Sequence, residues 1–276
     1  MLEAILNMKV STHWLKDFVK TRQSIQQMAN SLTMAGLEVK KMESAGDDLI
    51  FDLEITTNRP DWLSHYGVAR ELAAVLGLPL KALDLQKRAP ASASPWKIEL
   101  DHSEACPYYT GILLQNVQHA PTPDWMQKRL LACGVRSIDL FVDITNYVLL
   151  ETGQPLHAFD ADLLAGQKIR VRSAKKGETF EAIDGSLLKL DPEDLMIADD
   201  HQSVALAGVM GGKQSEVNPG TKNVFLESAF FHPRWVRRSS RRHNLVSESS
   251  YRFERRVDPE GVDIGRERAP NYLSVR

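Results

Sequence analysis

The sequence predicts an α+β fold in which a small N-terminal helix/strand module is followed by a larger mixed α/β domain. Three observations carry that expectation. Near the N-terminus, helical periodicities start on serines and stop on glycines. In the second half, short apolar runs alternate with turn residues. Between the two, residues 84–95 (DLQKRAPASASP) hold almost no large apolar groups, the composition of a linker. The expected division is therefore a module over 8–83, a linker over 84–95, a larger domain over 96–268 and a tail over 269–276.

Taken in order, the first helix begins at Ser11 or Thr12 as N-cap and turns Trp14, Leu15, Phe18 and Val19 inward. A second starts from Ser24, carries Ile25, Met28, Ala29 and Leu32, and stops at Gly36. Residues 37–42 and 49–55 read as strands. Asn58-Arg59-Pro60-Asp61 is a turn, because proline disfavours helix at the residue before it. Ser64 then caps a helix with Val68, Leu72, Val75 and Leu76 on one side, ended by Gly77 and Pro79. Beyond the linker, strands are expected over 96–100 and 110–117, and a helix over 123–133 closed by Gly134. Residues 144–149 read as a buried strand holding Thr145 and Asn146, whose side chains would then face opposite ways. Thr152-Gly153-Gln154-Pro155 breaks the chain and delivers His157 on the far side. A strand over 168–173, turns at Gly177, Asp184-Gly185 and Asp199-Asp200, and strands over 203–207 and 224–229 follow. The last helix, 233–243, ends at Asn244, a residue that tolerates the left-handed conformation.

The bulk numbers exclude more than they assign. In 276 residues, 43% hydrophobic and 25% charged is ordinary for a soluble globular chain, and a net charge of −2 makes any nucleic-acid contact a matter of local clustering. The two cysteines, Cys106 and Cys133, show no zinc-ligand spacing and fit a reducing cytoplasm. No apolar run approaches the roughly 18–20 residues of a membrane helix. The first seven residues are too short and carry no basic side chain, so a signal peptide is not expected in them, and Met8 is a second candidate start.

Four features could carry chemistry. The stretch 142–160 mixes Asp143, Thr145, Asn146, Glu151, Gln154, His157 and Asp160 among apolar residues, which suits either a partly buried polar site or an internally satisfied network. Glu227 stands inside the apolar run VFLESAF, where a carboxylate is costly unless partnered; it is either a structural carboxylate or an acceptor on a pocket wall. Gly208, Gly211 and Gly212 form no phosphate-binding pattern, so turn geometry competes with close approach of a ligand. Arg234, Arg237, Arg238, Arg241 and Arg242 fall on one helical face, and Arg252, Arg255 and Arg256 follow; a phosphate-backbone contact is the functional reading. Arg252-Phe253-Glu254 has the form of an Arg-x-Glu nucleotide motif, but without the surrounding motifs.

Longer blocks are more specific. MAGLEV (34–39), TTNRPDWLSHYGVARELAAV (56–75), CGVRSIDLFVDITNYVLLETGQPLHAFD (133–160), ALAGVMGG (205–212) and FLESAFFHPRWVRRSSRRHNLVSESSYRFERRVDP (225–259) together resemble the N-terminal half of the bacterial phenylalanine–tRNA ligase β-subunit family, in order over 8–268. The resemblance implies an editing-type domain beyond residue 96 that hydrolyses tyrosine from mischarged tRNA(Phe). It also implies a partner α subunit that activates phenylalanine with ATP and Mg²⁺, editing itself needing no cofactor or metal. The family's pocket residues fall on Arg136, Thr145, Asn146, His157, Ala207, Gly208 and Glu227. Of these, Arg136, Thr145, Asn146 and His157 would position the ester and a water. Glu227, with the Gly208 backbone N–H, would meet the tyrosine hydroxyl, and Ala207 would be a further substrate-binding residue.

The sequence departs from the family in several places. The oligonucleotide-binding insertion expected after MAGLEV is replaced by residues 43–53. Ser247 and Ser249 replace the usual residues at the pocket entrance, and Arg256 and Asn244 replace glycines. Pro270 interrupts a helix that the family continues, and the similarity ends after Arg268. On this resemblance the domains that hold the α-subunit interface are expected to lie outside the matched residues. The alternative expectation is accordingly a truncated or stand-alone paralogue that binds tRNA or protein without catalysis.

Overall fold

The computed structural model describes residues 7–85 and 94–273. The first residues, most of the expected linker and the end of the expected tail lie outside the described residues. Strand β1 (Asn7–Ser11), which the sequence reading did not anticipate, forms the edge of an antiparallel sheet of order β1-β3-β2, with β2 over Val39–Ala45 and β3 over Asp48–Glu54. Helices α1 (Thr12–Phe18), α2 (Ile25–Met34) and α3 (His65–Leu76) cover it. Their ends are where local chemistry predicts. The Ser11 hydroxyl accepts from the Trp14 N–H, Ser24 and Gln27 form a capping box, and Ser64 accepts from the Gly67 N–H. Gly36 and Gly77 close α2 and α3 with φ of 95° and 62°.

In the second part, β4 (Lys97–Leu100), β7 (Lys168–Ser173), β10 (Leu195–Ala198), β11 (Ser203–Leu206) and β12 (Met210–Gly211) make a sheet of order β12-β11-β10-β7-β4. A second sheet, order β5-β13-β6, joins β5 (Tyr108–Leu114), β6 (Leu156–Asp160) and the fully buried β13 (Val224–Phe230). The hairpin of β8 (Thr179–Glu181) and β9 (Leu187–Lys189) turns at Asp184-Gly185. Helices α4 (Asp124–Ala132), α5 (Leu140–Thr152), α6 (Pro233–His243), α7 (Glu248–Phe253) and α8 (Gly261–Leu273) complete the α+β fold.

Two expectations are corrected. Residues 144–149 lie in α5, not in a strand. Asp139 caps this helix through the Phe141 N–H, and Gly153 ends it with φ of 84°. The helix is buried on nearly every side, so it has no polar face to set a 3.6-residue period, and a short apolar run cannot be told from a strand by pattern alone. Its polar residues are held internally. Asp143 accepts from Thr122, Ser137 and the Ile138 N–H, while Glu151 receives Arg268 and the Tyr272 hydroxyl. Nor does Pro270 break α8, which runs through it to Leu273. A helix-interior proline costs about 3 kcal/mol, and the flanking Arg268 and Tyr272 contacts to α5 favour the helical turn.

One apolar core unites α1, α2 and α3 with α4, α5 and α8. Trp14 stacks on His65 at 3.9 Å and on Tyr147 at 4.2 Å. The Arg252 guanidinium, only 2% exposed, donates to the Leu63 carbonyl at 3.0 Å and so ties α7 to the N-terminal module. Arg252 is thus a structural clamp rather than part of a nucleotide motif. A second core fills the space around the β10–β11 and β5–β13 strands.

Candidate functional site

The site lies where the β5-β13-β6 sheet meets the glycine-rich turn after β11. Antiparallel register sets Glu227 of β13 directly opposite His157 of β6, so both side chains leave the same face of the sheet. Gly208 and Gly211 form the facing wall, and Ser249 and Phe253 of α7 the third side, around a cavity of about 60 Å³. The chain makes this space by omitting side chains. A Cβ on Gly211 would lie 2.5 Å from the His157 ring. Gly208 has φ of 70°, and a Cβ there would crowd Phe253, Val236 and Phe231 at 3.0–3.1 Å.

Glu227 is 5% exposed, and the Tyr109 hydroxyl donates to its Oε2 at 3.0 Å. Burial pushes the carboxyl up to about 8, the Tyr109 hydrogen bond pulling the other way. At neutral pH it is therefore largely a neutral acid that can both donate and accept. The His157 ring packs edge-on against Phe159 at 4.4 Å, and among the described residues neither ring nitrogen has a hydrogen-bond partner. Burial alone lowers its pKa to about 4, which leaves a neutral imidazole. A neutral acid and a neutral imidazole side by side can bind a hydroxyl and orient a water without a buried charge.

Not every expected residue reaches this cavity. His157, Gly208, Glu227 and Ser249 line it; Ala207 is buried beside the turn without lining it. Thr145 and Asn146 sit on α5 and do not line it either, the Thr145 hydroxyl being spent on the Val142 carbonyl at 2.7 Å. Arg136 is exposed in the loop after α4. Ser247 caps α7 and donates to the Val209 carbonyl at 2.8 Å, so it fastens the helix to the glycine turn. Tyr109 and Phe253 are the additions, while Gly211, already singled out in the sequence with Gly208, also lines the cavity. Tyr109 shows no signal of its own in the sequence, because its partner is 118 residues away.

The basic helix divides. Arg238 and Arg242 pair with the loop before β10, Arg238 with Glu193 at 2.9 Å and Arg242 with Asp194 at 2.6 Å. Arg234, Arg237 and Arg241 are exposed, and among the described residues their guanidinium groups have no partner. Among the described residues no helix is long and apolar enough to cross a membrane, and no cluster of His, Cys, Asp or Glu is arranged to hold a metal ion.

A family model described as the B3/4 domain matches residues 105–275. The phenylalanine–tRNA ligase beta subunit of Anaeromyxobacter dehalogenans is 50% identical over 215 residues, covering 77% of this chain and 27% of that protein. That of Rhodopirellula baltica is 42% identical over 269 residues, covering 97% of this chain and 40% of that protein. Among solved structures, an N-terminal fragment of the phenylalanyl-tRNA synthetase beta-subunit from Pyrococcus horikoshii matches with a TM-score of 0.45 at 18% identity, covering 81% of this chain and 67% of that one. The chain thus spans less than half the length of the two curated relatives.

Proposed function

Because the chain belongs to the B3/4 domain family and is similar to phenylalanine–tRNA ligase beta subunits, we propose that it is an editing module that hydrolyses the ester of mischarged Tyr-tRNA(Phe). The observation that carries this reading is the pair of titratable groups, buried Glu227 and half-buried His157, facing each other across one register position on the wall of the same cavity. In the proposed reaction a water oxygen bonds to the tyrosyl carbonyl carbon, the ester C–O bond breaks, and a proton passes to the terminal ribose oxygen. An activated ester needs little beyond an oriented water and some stabilisation of the developing oxyanion. His157, neutral and unpartnered, orients that water; Glu227 and the Gly208 N–H receive the tyrosine hydroxyl. Phenylalanine would leave those polar groups unpaired, the direction in which discrimination is strong. The roles that the resemblance gives to Arg136, Thr145 and Asn146 would have to be exercised from outside the cavity wall.

The same proposal gives the exposed Arg234, Arg237 and Arg241 the task of contacting tRNA phosphates, and gives the chain a cytoplasmic setting with an α subunit that supplies ATP and Mg²⁺ chemistry. A second reading, a tRNA- or protein-binding module without catalysis, is favoured by the narrowness of the cavity, about 60 Å³. The test is incubation of the purified chain with Tyr-tRNA(Phe) and Phe-tRNA(Phe). The editing reading expects tyrosine to be released and phenylalanine spared. Absence of release above buffer, with tRNA still bound, leaves the binding module.

A further inference from the structure

We propose that Tyr109 is the positioning residue that fixes Glu227 for recognition of a ligand hydroxyl, an inference that rests on reading the cavity as a tyrosyl pocket. The sheet register makes this arrangement specific. Directly across from Glu227 on β5 stands Gly111, which has no side chain to offer, and the space a Cβ would take is filled by the Phe225 ring at 2.2 Å. Tyr109 is two residues away on the same face of β5, within diagonal reach of Glu227. Its hydroxyl spans that diagonal and donates to Oε2 at 3.0 Å, with both residues no more than 6% exposed. The ring is braced edge-on by Phe231, which in turn meets Phe253 of the cavity wall at 5.2 Å.

A carboxyl has two oxygens and rotates about its last bond. With Oε2 held by Tyr109, the other oxygen is left to meet a ligand and the plane of the group is set. The remaining titratable neighbours do not compete for it. The Cys106 thiol, near enough for Glu227 to oppose its ionisation, donates to the Tyr108 carbonyl, and burial keeps it protonated. His157 on the opposite strand is neutral. The pocket thereby carries one phenol of its own on the carboxyl and leaves room on that carboxyl for one more. A site built to pair a ligand hydroxyl penalises the ligand that lacks it.

The experiment is equilibrium binding of free L-tyrosine and L-phenylalanine to the full chain and to Tyr109→Phe, repeated in a Glu227→Gln background. L-tyrosine is expected to bind in preference, and Tyr109→Phe to reduce that preference about tenfold, the worth of one buried hydrogen bond. In the Glu227→Gln background Tyr109→Phe should change nothing further. The Glu227 carboxyl, followed by its carbon chemical shift, should titrate higher in Tyr109→Phe because the bond that holds it down is gone. A variant that loses thermal stability but keeps the wild-type preference and the wild-type titration would make Tyr109 merely a packing residue and overturn the proposal. If the chain prefers L-tyrosine yet hydrolyses no Tyr-tRNA(Phe), the editing reading falls while the Tyr109 assignment stands on the binding ratio. If neither amino acid is preferred, the Tyr109 assignment is overturned.

Discussion

Two histidines, one fully buried and one half-buried, show how the same side chain can be held in two ways, with its nitrogens partnered in a core or left unpartnered beside a cavity. His65, at the start of α3, is enclosed in the shared core; its Nδ1 lies 2.9 Å from the Leu150 carbonyl and its Nε2 accepts the Ser11 N–H at 3.1 Å. Burial lowers its pKa to about 3, and Trp14 stacks on its face. His157 is lowered to about 4 by the same cause, yet among the described residues its nitrogens are unpartnered and its ring faces a cavity. A lowered pKa alone therefore does not distinguish the two histidines. An unclaimed hydrogen-bonding position beside a cavity does, and Glu227, held at only one oxygen, belongs with His157 on that side of the contrast.

The sharpest way to break this contrast is to remove each ring. His65→Ala should cost about 3–4 kcal/mol in chemical denaturation, because a cavity opens and two buried backbone groups lose partners. His157→Ala should change stability by under about 1 kcal/mol, since no bond is broken, while slowing Tyr-tRNA(Phe) hydrolysis about tenfold or more. Equal stability losses at the two positions would erase the distinction.

The pH dependence sharpens it further. For His65 and His157 the folded pKa is depressed from 6.5, so their stability contribution is full above about 6.5 and is lost as pH falls through about 4 and about 3. For Glu227 the folded pKa is raised from 4.5 to about 8, so its contribution is full below 4.5 and is lost as pH rises through about 8. Glu227→Gln should therefore flatten the decline in stability between pH 4.5 and 8 and leave the acid limb in place, as read by denaturation midpoints across that range. The smallest effects belong to the exposed arginines. Alanine at Arg234, Arg237 or Arg241 should weaken tRNA binding modestly and reduce the slope of log affinity against log salt by about one each. Arg238→Ala and Arg242→Ala should instead act mainly through stability, since those side chains are already paired.

What could be read from the sequence was local. The caps at Ser11, Ser24 and Ser64 and the left-handed stop at Asn244 (φ 52°) are decided within a few residues of chain, and each appears where the pattern indicates. Glu227 also stood out, because a carboxylate in an apolar strand needs a reason. Helix α5 resembles a strand in sequence because its burial on most sides removes the polar face that marks a helix. The Tyr109–Glu227 bond and the pairing of Arg238 with Glu193 join residues 118 and 45 positions apart. Only strand register and helix docking create such contacts, so the split of the basic helix into paired and free arginines could not be seen beforehand.

The most direct test of Glu227 as the group that recognises the hydroxyl is to measure deacylation of Tyr-tRNA(Phe) and Phe-tRNA(Phe) by the unaltered chain and by Glu227→Ala at neutral pH. The expected result is rapid loss of tyrosine, retention of phenylalanine, and a selectivity that falls about a hundredfold in the variant as the hydroxyl-pairing group disappears. A folded Glu227→Ala protein that still discriminates as well as the unaltered chain would contradict it.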